Sequence, residues 1–384
     1  MDVSLNLVKQ VVSIGRGSFV ALVLSLVGLN IFAAEVLPKD GGIWKDDKGV
    51  HINAHGGGVL FAEGRYWWFG EHKVAGEAGN KAMVGIHAYS SVDLANWKDE
   101  GIALKVEDDE KSDIRRGFVL ERPKVVKVPA TGKYVMYFHN EKGTHYTLAA
   151  VGIAIAERVA GPYRYVKTVR PNVGQNPLNA KKEELTAEVF AASEEVGYIS
   201  TGPSEEGRKA HLWQGKVKVG QDCRDMTLFQ DDDGKTYHVF SSEFNSTLHI
   251  SELTPDCLDY TGRWVRIAEK DWTEAPALFK RGGWYYLLGS GCTGWKPNAA
   301  HAYRAKNIFG PWERLENPCT GTNPANGLGP EKTWGGQSTC VLKVEGKDEY
   351  IAMFDVWTPK NAIDGRYVWR RIHFTDDGKF TIPW

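Results

Sequence analysis

The chain repeats one pattern of polar and apolar positions five times. Each copy begins with a polar residue, has an apolar residue four positions later, and then reaches a short polar turn that contains glycine. A strand rich in aromatic residues follows each turn, with a tyrosine in every copy. Two apolar strands joined by a glycine turn are typical of a β-hairpin. The five leading polar residues are His55, Glu121, Asp225, Glu274 and Gln337.

Most copies continue into a second, looser hairpin of small and apolar residues that ends near a tryptophan or tyrosine. The last copy closes with the stretch YVWRRIHFTDDGKFTIPW. Four strands per copy, repeated five times, are typical of a β-propeller, and no stretch sustains the 3.6-residue period of an amphipathic helix. The pattern therefore predicts an all-β fold, a five-bladed β-propeller over residues 35–384, with residues 172–221 as an insertion.

The five leading polar residues are expected to converge. The innermost strand of each blade runs along the central channel, so residues at equivalent positions point at the same axis. Bringing three carboxylates, an imidazole and an amide into one funnel costs desolvation and mutual repulsion. Shifted carboxylate pKa values cluster at active sites, which favours a catalytic funnel. The alternative is that these groups only cap strand ends and bind channel water.

Two of the carboxylates suit the hydrolysis of a glycosidic bond. The reaction needs a proton donor for the leaving oxygen and a group that activates water on the opposite face of the sugar. Glu274 is followed by the small apolar stretch APA, so desolvation is expected to raise its pKa and hold its proton near neutral pH. We expect Glu274 to act as general acid, and Asp225, beside Arg224, to stay ionised and tune its neighbour.

Several stretches around these residues resemble glycoside hydrolase family 43, whose catalytic domain is a five-bladed propeller that works by inversion. The likeness lies in TEAPALFKRGGWYYL, RDMTLFQDDDGKTY and ERPKVV. The stretches NAHGGG, RYWWFGE, SGCTGWKPN and WGGQST narrow the resemblance to the exo-β-1,3-galactanase branch (galactan 1,3-β-galactosidases). It spans residues 43–384 apart from the insertion. The resemblance implies that Glu274 is the general acid and Asp225 the aspartate that modulates its pKa.

The first copy departs from the wider family, which has an aspartate base where this chain has HINAHGGG. The galactanase branch shares that absence, and the resemblance implies a substitute at Gln337, with Glu121 also in the pocket. Gln337 could position water or act through an imidic tautomer, or Glu121 could take the proton, and the sequence leaves these alternatives open. The other expected sugar contacts are Tyr146, His55, Glu243, Thr293, Trp295 and Asn298.

Residues 1–34 are typical of a targeting segment, because Lys9 and Arg16 precede the apolar run SFVALVLSLVGLNIFAA. A signal peptide is expected, with an uncleaved N-terminal anchor as the alternative, and export to the periplasm, the cell surface or the medium follows. The 47 Lys and Arg residues balance 48 Asp and Glu residues, which argues against nucleic-acid binding. The resemblance implies β-1,3-galactan or a galacto-oligosaccharide as substrate, and no protein partner is implied.

No cofactor or metal is expected. The acidic stretch Asp231–Gly234 lies where a hairpin turn belongs and lacks the ligand spacing of an EF-hand. His51 and His55 have the spacing of a zinc helix, but the glycines that follow them argue against a helix. The five cysteines lack CxxC spacing, and in an exported chain they could form one or two disulfides.

Two other functions compete with β-1,3-galactan hydrolysis. The same propeller could act as an α-L-arabinofuranosidase or β-xylosidase, although the HGGG stretch and Gln337 argue against both. The chain could also be a carbohydrate-binding propeller that has lost its catalytic base. Release of galactose by the parent protein separates hydrolysis from binding alone.

Overall fold

The computed structural model describes residues 41–143, 145–195 and 213–384. The predicted targeting segment, residues 1–34, and the middle of the predicted insertion lie outside these ranges. The described residues form an all-β propeller, as predicted, with a single α-helix, α1 (Ala187–Glu195). Within the same ranges, no helix combines the length and apolar character that crossing a membrane requires.

Four sheets each contain four antiparallel strands in chain order. The first two sheets are β1 (His55–Ala62), β2 (Arg65–Lys73), β3 (Met83–Ser91), β4 (Lys98–Lys105), and β5 (Val119–Lys127), β6 (Tyr134–Lys142), β7 (His145–Ala156), β8 (Arg164–Val169). The next two are β9 (Met226–Gln230), β10 (Thr236–Ser242), β11 (Thr247–Leu253), β12 (Tyr260–Ile267), and β13 (Thr273–Arg281), β14 (Trp284–Gly291), β15 (Ala300–Ala305), β16 (Glu313–Leu315).

Two further sheets have three strands each, which makes six sheets in the described residues, so the predicted count of five blades is wrong. Their strands are β17 (Cys319–Thr320), β18 (Gln337–Lys343), β19 (Tyr350–Val356), β20 (Arg366–Arg371), β21 (His373–Phe374) and β22 (Phe380–Pro383). The closing stretch of sequence leaves the sheet of β18 and β19 after β20. Its last strand, β22, pairs in parallel with β17 and antiparallel with β21. This separate sheet packs against β20.

Five of the sheets contribute an innermost strand to a closed ring. β1 contacts β5, β5 contacts β9, β9 contacts β13, β13 contacts β18, and β18 returns to β1. The apolar faces of neighbouring sheets pack together around this ring. For example, Phe69 and Ile86 of the first sheet share one core cluster with Leu120 and Phe138 of the second. The ring brings the starts of the five inner strands to one end of the channel.

The first and last sheets of the ring meet without sharing a ladder of strand hydrogen bonds. The hydroxyl of Tyr367 donates to the carbonyl of Ile52 at 3.0 Å and accepts from the N–H of Ala54 at 2.8 Å. The rings of Trp68 and Trp369 pack edge to face with centroids 5.0 Å apart. The seam between β18 and β1 therefore depends on side chains.

The described part of the segment between β8 and β9 fastens to β12. The side chain of Asn179 donates to the carbonyl of Arg266 at 2.7 Å and accepts from its N–H at 3.1 Å. The carbonyl of Glu184 accepts a bond from the side chain of Gln214 at 2.8 Å, and its carboxylate lies 3.6 Å from the guanidinium of Arg266. These contacts hold the two ends of the segment against the outer strand of the third sheet.

Candidate active site

Three inner strands carry a register irregularity at the polar residue that was predicted to face the channel. The shifts follow His55 in β1, Glu121 in β5 and Glu274 in β13. The next residue in each strand has a positive φ, which is 62° at Gly56, 56° at Arg122 and 55° at Ala275. Non-glycine residues adopt this conformation at a cost of about 1 kcal/mol or more, and such strain is common at functional sites. The bulges turn the starts of β5 and β13 so that Glu121 and Glu274 reach the channel mouth, whereas His55 of β1 stays buried.

A cavity of about 260 Å³ opens at this end of the ring. Four of the five predicted funnel residues line it, and so do two predicted sugar contacts, Tyr146 and Trp295. The funnel residues concerned are Glu121, Asp225, Glu274 and Gln337. The ring of Trp295 is about half exposed, at 49%, and lies 5.4 Å from that of Trp357. The two indoles form an apolar wall beside the carboxylates, as expected of a site that packs against the C–H face of a sugar.

Glu274 is held in its protonated form. Burial, followed by the nearby negative charge of Asp225, raises its pKa to about 8. One carboxyl oxygen accepts from Nε2 of Gln337 at 2.9 Å, and the other accepts from Nδ2 of Asn245 at 3.3 Å. A carboxyl group that keeps its proton at neutral pH and faces a cavity is suited to act as a general acid.

Asp225 is paired with Arg122, which the sequence pattern did not identify as a site residue. Its Oδ2 lies 2.8 Å from Nη2 of Arg122, which is buried beneath the cavity. The charge of Asp225 raises the pKa of Glu274, whereas that of Arg122 lowers it. This placement is compatible with the predicted tuning role of Asp225.

Glu121 is held as a carboxylate by Tyr146, Asn80 and His139. Its Oε1 accepts bonds from the hydroxyl of Tyr146 at 2.7 Å and from Nδ2 of Asn80 at 2.5 Å, and its Oε2 lies 3.1 Å from Nδ1 of His139. Burial alone would raise the pKa of Glu121, but the interaction with His139 and the bond from Tyr146 outweigh burial and lower it to about 2. Glu141 lies on the other side of the imidazole, with Oε1 3.2 Å from Nε2 of His139.

Glu121, His139 and Asp225 bring potential metal-ligand atoms within 4.8 Å of one another. Burial lowers the pKa of His139, but its two carboxylate neighbours outweigh burial and raise it to about 9. A protonated imidazole has no lone pair to offer a metal ion, because both ring nitrogens carry hydrogens. These three residues therefore suit a charge network better than a metal site.

Gln337 has every hydrogen-bonding position of its carboxamide occupied. Its Oε1 accepts from Nη2 of Arg122 at 2.6 Å and from Nε1 of Trp357 at 2.9 Å. Its Nε2 donates to Oε1 of Glu274 at 2.9 Å and to the hydroxyl of Ser290 at 3.0 Å. The amide is thus fixed between the acid and two donors.

The other predicted sugar contacts lie outside this cavity. His55 is fully buried and packs against Trp357, with ring centroids 4.5 Å apart, and burial lowers its pKa well below the usual value. Glu243 is also buried and accepts two bonds from Arg266, at 2.7 and 3.0 Å. A direct sugar contact by His55 or Glu243 is not supported by these positions.

Thr293 and Asn298 belong to the loop that carries Trp295. The side chain of Asn298 bonds the N–H and the carbonyl of Gly291 at 2.8 and 2.7 Å, and it donates to the hydroxyl of Thr293 at 2.7 Å. Asn298 lines a smaller adjoining cavity. Both residues shape the loop that presents the indole of Trp295.

Four further residues line the cavity and were not predicted from the sequence as site residues: Arg122, His139, Asn245 and Trp357. Two of them had a detectable signal. Arg122 directly follows Glu121, and His139 is the partner of Glu121 in the pairing of β5 with β6. The five cysteines, all within the described residues, are free thiols.

The chain is similar to known carbohydrate-active proteins. The sequence profile described as glycosyl hydrolases family 43 matches residues 198–380. A solved family 43 β-1,3-galactosidase with galactodeoxynojirimycin is 42% identical, with a TM-score of 0.79, over 90% of this chain and 98% of that chain. The chain belongs to glycoside hydrolase family 43. This confirms the family resemblance of the sequence.

Other similar proteins share a lower sequence identity or a smaller part of their length with this chain. An exo-β-1,3-galactanase from Clostridium thermocellum is 28% identical with a TM-score of 0.71, over 90% of this chain and 65% of that chain. A β-D-galactofuranosidase of Aspergillus niger is 28% identical over 46% of this chain and 50% of that protein. A xylosidase/arabinosidase of Humicola insolens is 31% identical over 30% of this chain and 23% of that protein. The family 43 chain matches half or less of the length of these curated relatives.

Proposed function

We propose that this family 43 protein is an exo-acting, inverting hydrolase that releases galactose from the β-1,3-galactan backbone of arabinogalactan. The observation that carries the proposal is a protonated Glu274 and an ionised Glu121 that line the same cavity. The likeness to a β-1,3-galactosidase over nearly the full length of both chains supports the choice of sugar.

In the proposed reaction, the carboxyl group of Glu274 gives its proton to the glycosidic oxygen while the bond from that oxygen to the anomeric carbon breaks. A water molecule adds to the opposite face of the anomeric carbon, which inverts its configuration. Glu121 takes the proton that the water loses. Its Oε1 already accepts two bonds, from Tyr146 and Asn80, whereas Oε2 is paired with His139 alone and keeps a lone pair for this step.

The size of the cavity supports cleavage at a chain end. Pockets for drug-sized ligands are about 300–1,000 Å³, and this cavity is about 260 Å³. Such a space suits one terminal sugar better than a stretch of polysaccharide. The substrate is a polysaccharide, so we also propose that the protein is exported to the periplasm, the cell surface or the medium, with residues 1–34 as its targeting segment.

The proposal is tested by incubating the purified protein with β-1,3-galactan and following the anomeric protons of the product by NMR. Galactose that appears first as the α-anomer is the expected result, and Glu274→Gln is expected to lose this activity. Galactose that appears first as the β-anomer would contradict inversion. If galactan is bound but not cleaved, the propeller is a binding protein.

A second candidate is hydrolysis of xylosides or arabinosides. It is favoured by one group of relatives, including the xylosidase/arabinosidase of Humicola insolens. The same NMR experiment with xylo-oligosaccharides and arabinan separates the two candidates, since release of xylose or arabinose without galactose would support the second.

A further inference from the structure

Two donors fix the orientation of the carboxamide of Gln337. The guanidinium of Arg122 and the indole of Trp357 both donate to Oε1, and neither group has a lone pair with which it could accept a bond. A rotated amide would turn its N–H groups toward these two donors. The oxygen of Gln337 is therefore fixed on the side of Arg122 and Trp357, and Nε2 on the side of Glu274.

The same two donors disfavour the imidic tautomer. In that form the oxygen carries a proton and the nitrogen becomes an acceptor. The new O–H would lie among the N–H groups of Arg122 and Trp357, with no acceptor on either side chain. A buried donor without an acceptor is strongly unfavourable. The amide form is therefore the form that these surroundings stabilise.

We propose that Arg122 and Trp357 are positioning residues that act through Gln337, and that Gln337 assists Glu274 as a hydrogen-bond donor instead of taking a proton from water. This inference rests on the proposed function. It assigns Gln337 to the side of the reaction where the leaving group is protonated.

The donor is useful because Glu274 gains a negative charge during the reaction. When its proton passes to the glycosidic oxygen and the bond to the anomeric carbon breaks, the carboxylate left behind accepts bonds from Gln337 and Asn245. A hydrogen bond to an ionised group is about twice as strong as one between neutral groups. Gln337 therefore stabilises the transition state more than the ground state, which increases the rate. The proton of the attacking water goes to Glu121.

The leaving group of the substrate tests this assignment. Aryl β-galactosides with a very acidic phenol need little help from an acid, whereas galactan needs full protonation of the leaving oxygen. In Gln337→Ala we expect kcat/KM for β-1,3-galacto-oligosaccharides to fall about 100-fold or more, within the range for general acid catalysis. For dinitrophenyl β-galactoside we expect a loss smaller than about 5-fold. Equal losses on both substrates would overturn the proposal, because they would place Gln337 on the side of the attacking water.

Gln337→Glu gives a second test, because the two roles of Gln337, base or hydrogen-bond donor, predict opposite effects on activity. A carboxylate at this position would be a stronger base than an amide, so activity would persist or rise if Gln337 took the proton. Under the proposal, the new carboxylate cannot donate to ionised Glu274 and weakens it as an acid. We expect activity on galacto-oligosaccharides to fall at least about 100-fold while activity on the dinitrophenyl substrate remains. Retained activity on galacto-oligosaccharides would overturn the proposal.

Trp357→Phe tests the positioning role because it removes one donor and keeps an aromatic ring. We expect an approximately 10-fold loss on galacto-oligosaccharides, as for one lost hydrogen bond, and a much smaller loss on the dinitrophenyl substrate. Arg122→Lys is expected to show the same dependence on the leaving group. The matched control is Trp295→Phe, which changes the indole packed against Trp357. It should affect both substrates equally. If Trp357→Phe lowered activity equally on both substrates, as the control should, the result would contradict the positioning role.

Two comparisons separate a failure of this proposal from a folding defect and from a failure of the proposed function. Loss of the folded state lowers activity on both substrates in parallel, which a thermal unfolding curve would also reveal. If the parent protein hydrolyses neither galactoside, the proposed function fails. If the parent hydrolyses both and the variants show no dependence on the leaving group, only the role of Gln337 fails.

Discussion

The imidazole of His139 lies 3.1 Å from the carboxylate of Glu121 through its Nδ1 atom, at a site where both side chains are almost fully buried. The pairing raises the pKa of His139 to about 9, despite burial, and lowers that of Glu121 to about 2, despite burial. The cation is shared with Glu141 on the other side of the ring. A buried charge network of this kind couples the ionisation of the proposed catalytic base, Glu121, to the stability of the propeller.

His139→Asn should destabilise the protein in a pH-dependent way. The raised pKa of His139 stabilises the fold fully below about 6.5, and this contribution is lost as the pH rises through about 9. The lowered pKa of Glu121 stabilises the fold above about 4.5, and this contribution is lost as the pH falls through about 2. We expect the variant to lose about 3 kcal/mol of unfolding free energy at pH 6, and less at pH 9.5.

Urea unfolding at both pH values measures this effect. His373→Asn is a suitable control, since His373 is exposed on β21 and its replacement should change stability by less than about 0.5 kcal/mol. A loss from His139→Asn that is the same at pH 6 and pH 9.5 would show that the imidazole is not charged in the folded protein.

The pH dependence of catalysis should report Glu274. The acid must be protonated, and its pKa is about 8, so kcat/KM on galacto-oligosaccharides should fall as the pH rises through about 8. Asp225→Asn removes a negative charge that raises this pKa, and we expect the alkaline limb to move to lower pH. Because burial is the larger cause, the limb should remain above pH 4.5. An unchanged limb in Asp225→Asn would remove the tuning role from Asp225.

Glu274→Gln should be more stable than the parent protein at alkaline pH. A carboxyl group whose pKa is raised in the folded state stabilises the fold fully below about pH 4.5, and the contribution is lost as the pH rises through about 8. Glutamine does not titrate, so the melting temperature of the variant should exceed that of the parent at pH 9 by more than it does at pH 5. The comparison needs only thermal unfolding at the two pH values, and a constant difference would contradict it.

Replacement of Glu243 should affect stability and leave substrate binding largely unchanged. The carboxylate of Glu243 is buried and bonded to Arg266, so Glu243→Gln leaves a buried guanidinium without one of its counter-charges. We expect a loss of about 3 kcal/mol, with KM close to that of the parent. Glu269→Gln is the matched control, because Glu269 lies 2.9 Å from the same guanidinium but its side chain is 47% exposed. Its replacement should cost less than about 1 kcal/mol.

Trp295 should contribute to sugar binding. Its exposed indole lies beside the carboxylates, so Trp295→Ala should raise KM for galacto-oligosaccharides up to about 10-fold and change kcat little. Trp295→Phe keeps an aromatic face and should recover most of the affinity. Steady-state kinetics on the three proteins would measure this, and an unchanged KM in the alanine variant would exclude stacking at this position.

The repeated hairpins could be predicted because their signal is local. The apolar strands and glycine turns that follow Glu121 and Glu274 lie within a few residues of each other, and the structure contains them as β5–β6 and β13–β14. The number of sheets could not be predicted, because β22 pairs with β17, a two-residue strand about sixty positions earlier in the chain. A pairing between such distant short segments leaves no periodic trace in the sequence.

Most of the predicted funnel residues do line the candidate site, but the contacts among its side chains could not be predicted from the sequence. Equivalent positions on inner strands brought four of five polar residues to one cavity. His55, the fifth, lies behind Trp357, and the sequence did not indicate that a tryptophan from the end of β19 would cover it. Arg122 reaches Gln337 from a left-handed backbone conformation that non-glycine residues rarely adopt. Sequence patterns carry little information about such local departures.

The seam between β18 and β1 closes the ring through side chains, without a strand ladder, as do the other junctions between neighbouring sheets of the ring in the described residues. Within each blade, by contrast, backbone hydrogen bonds join neighbouring strands, and these bonds tolerate many side-chain substitutions. At this seam, the single hydroxyl of Tyr367 forms hydrogen bonds with two backbone groups, the carbonyl of Ile52 and the N–H of Ala54. Gln337 is the first residue of β18, the strand that borders this seam. We therefore expect a substitution of Tyr367, which lies outside the cavity, to disturb the position of Gln337 and its hydrogen bond to Glu274.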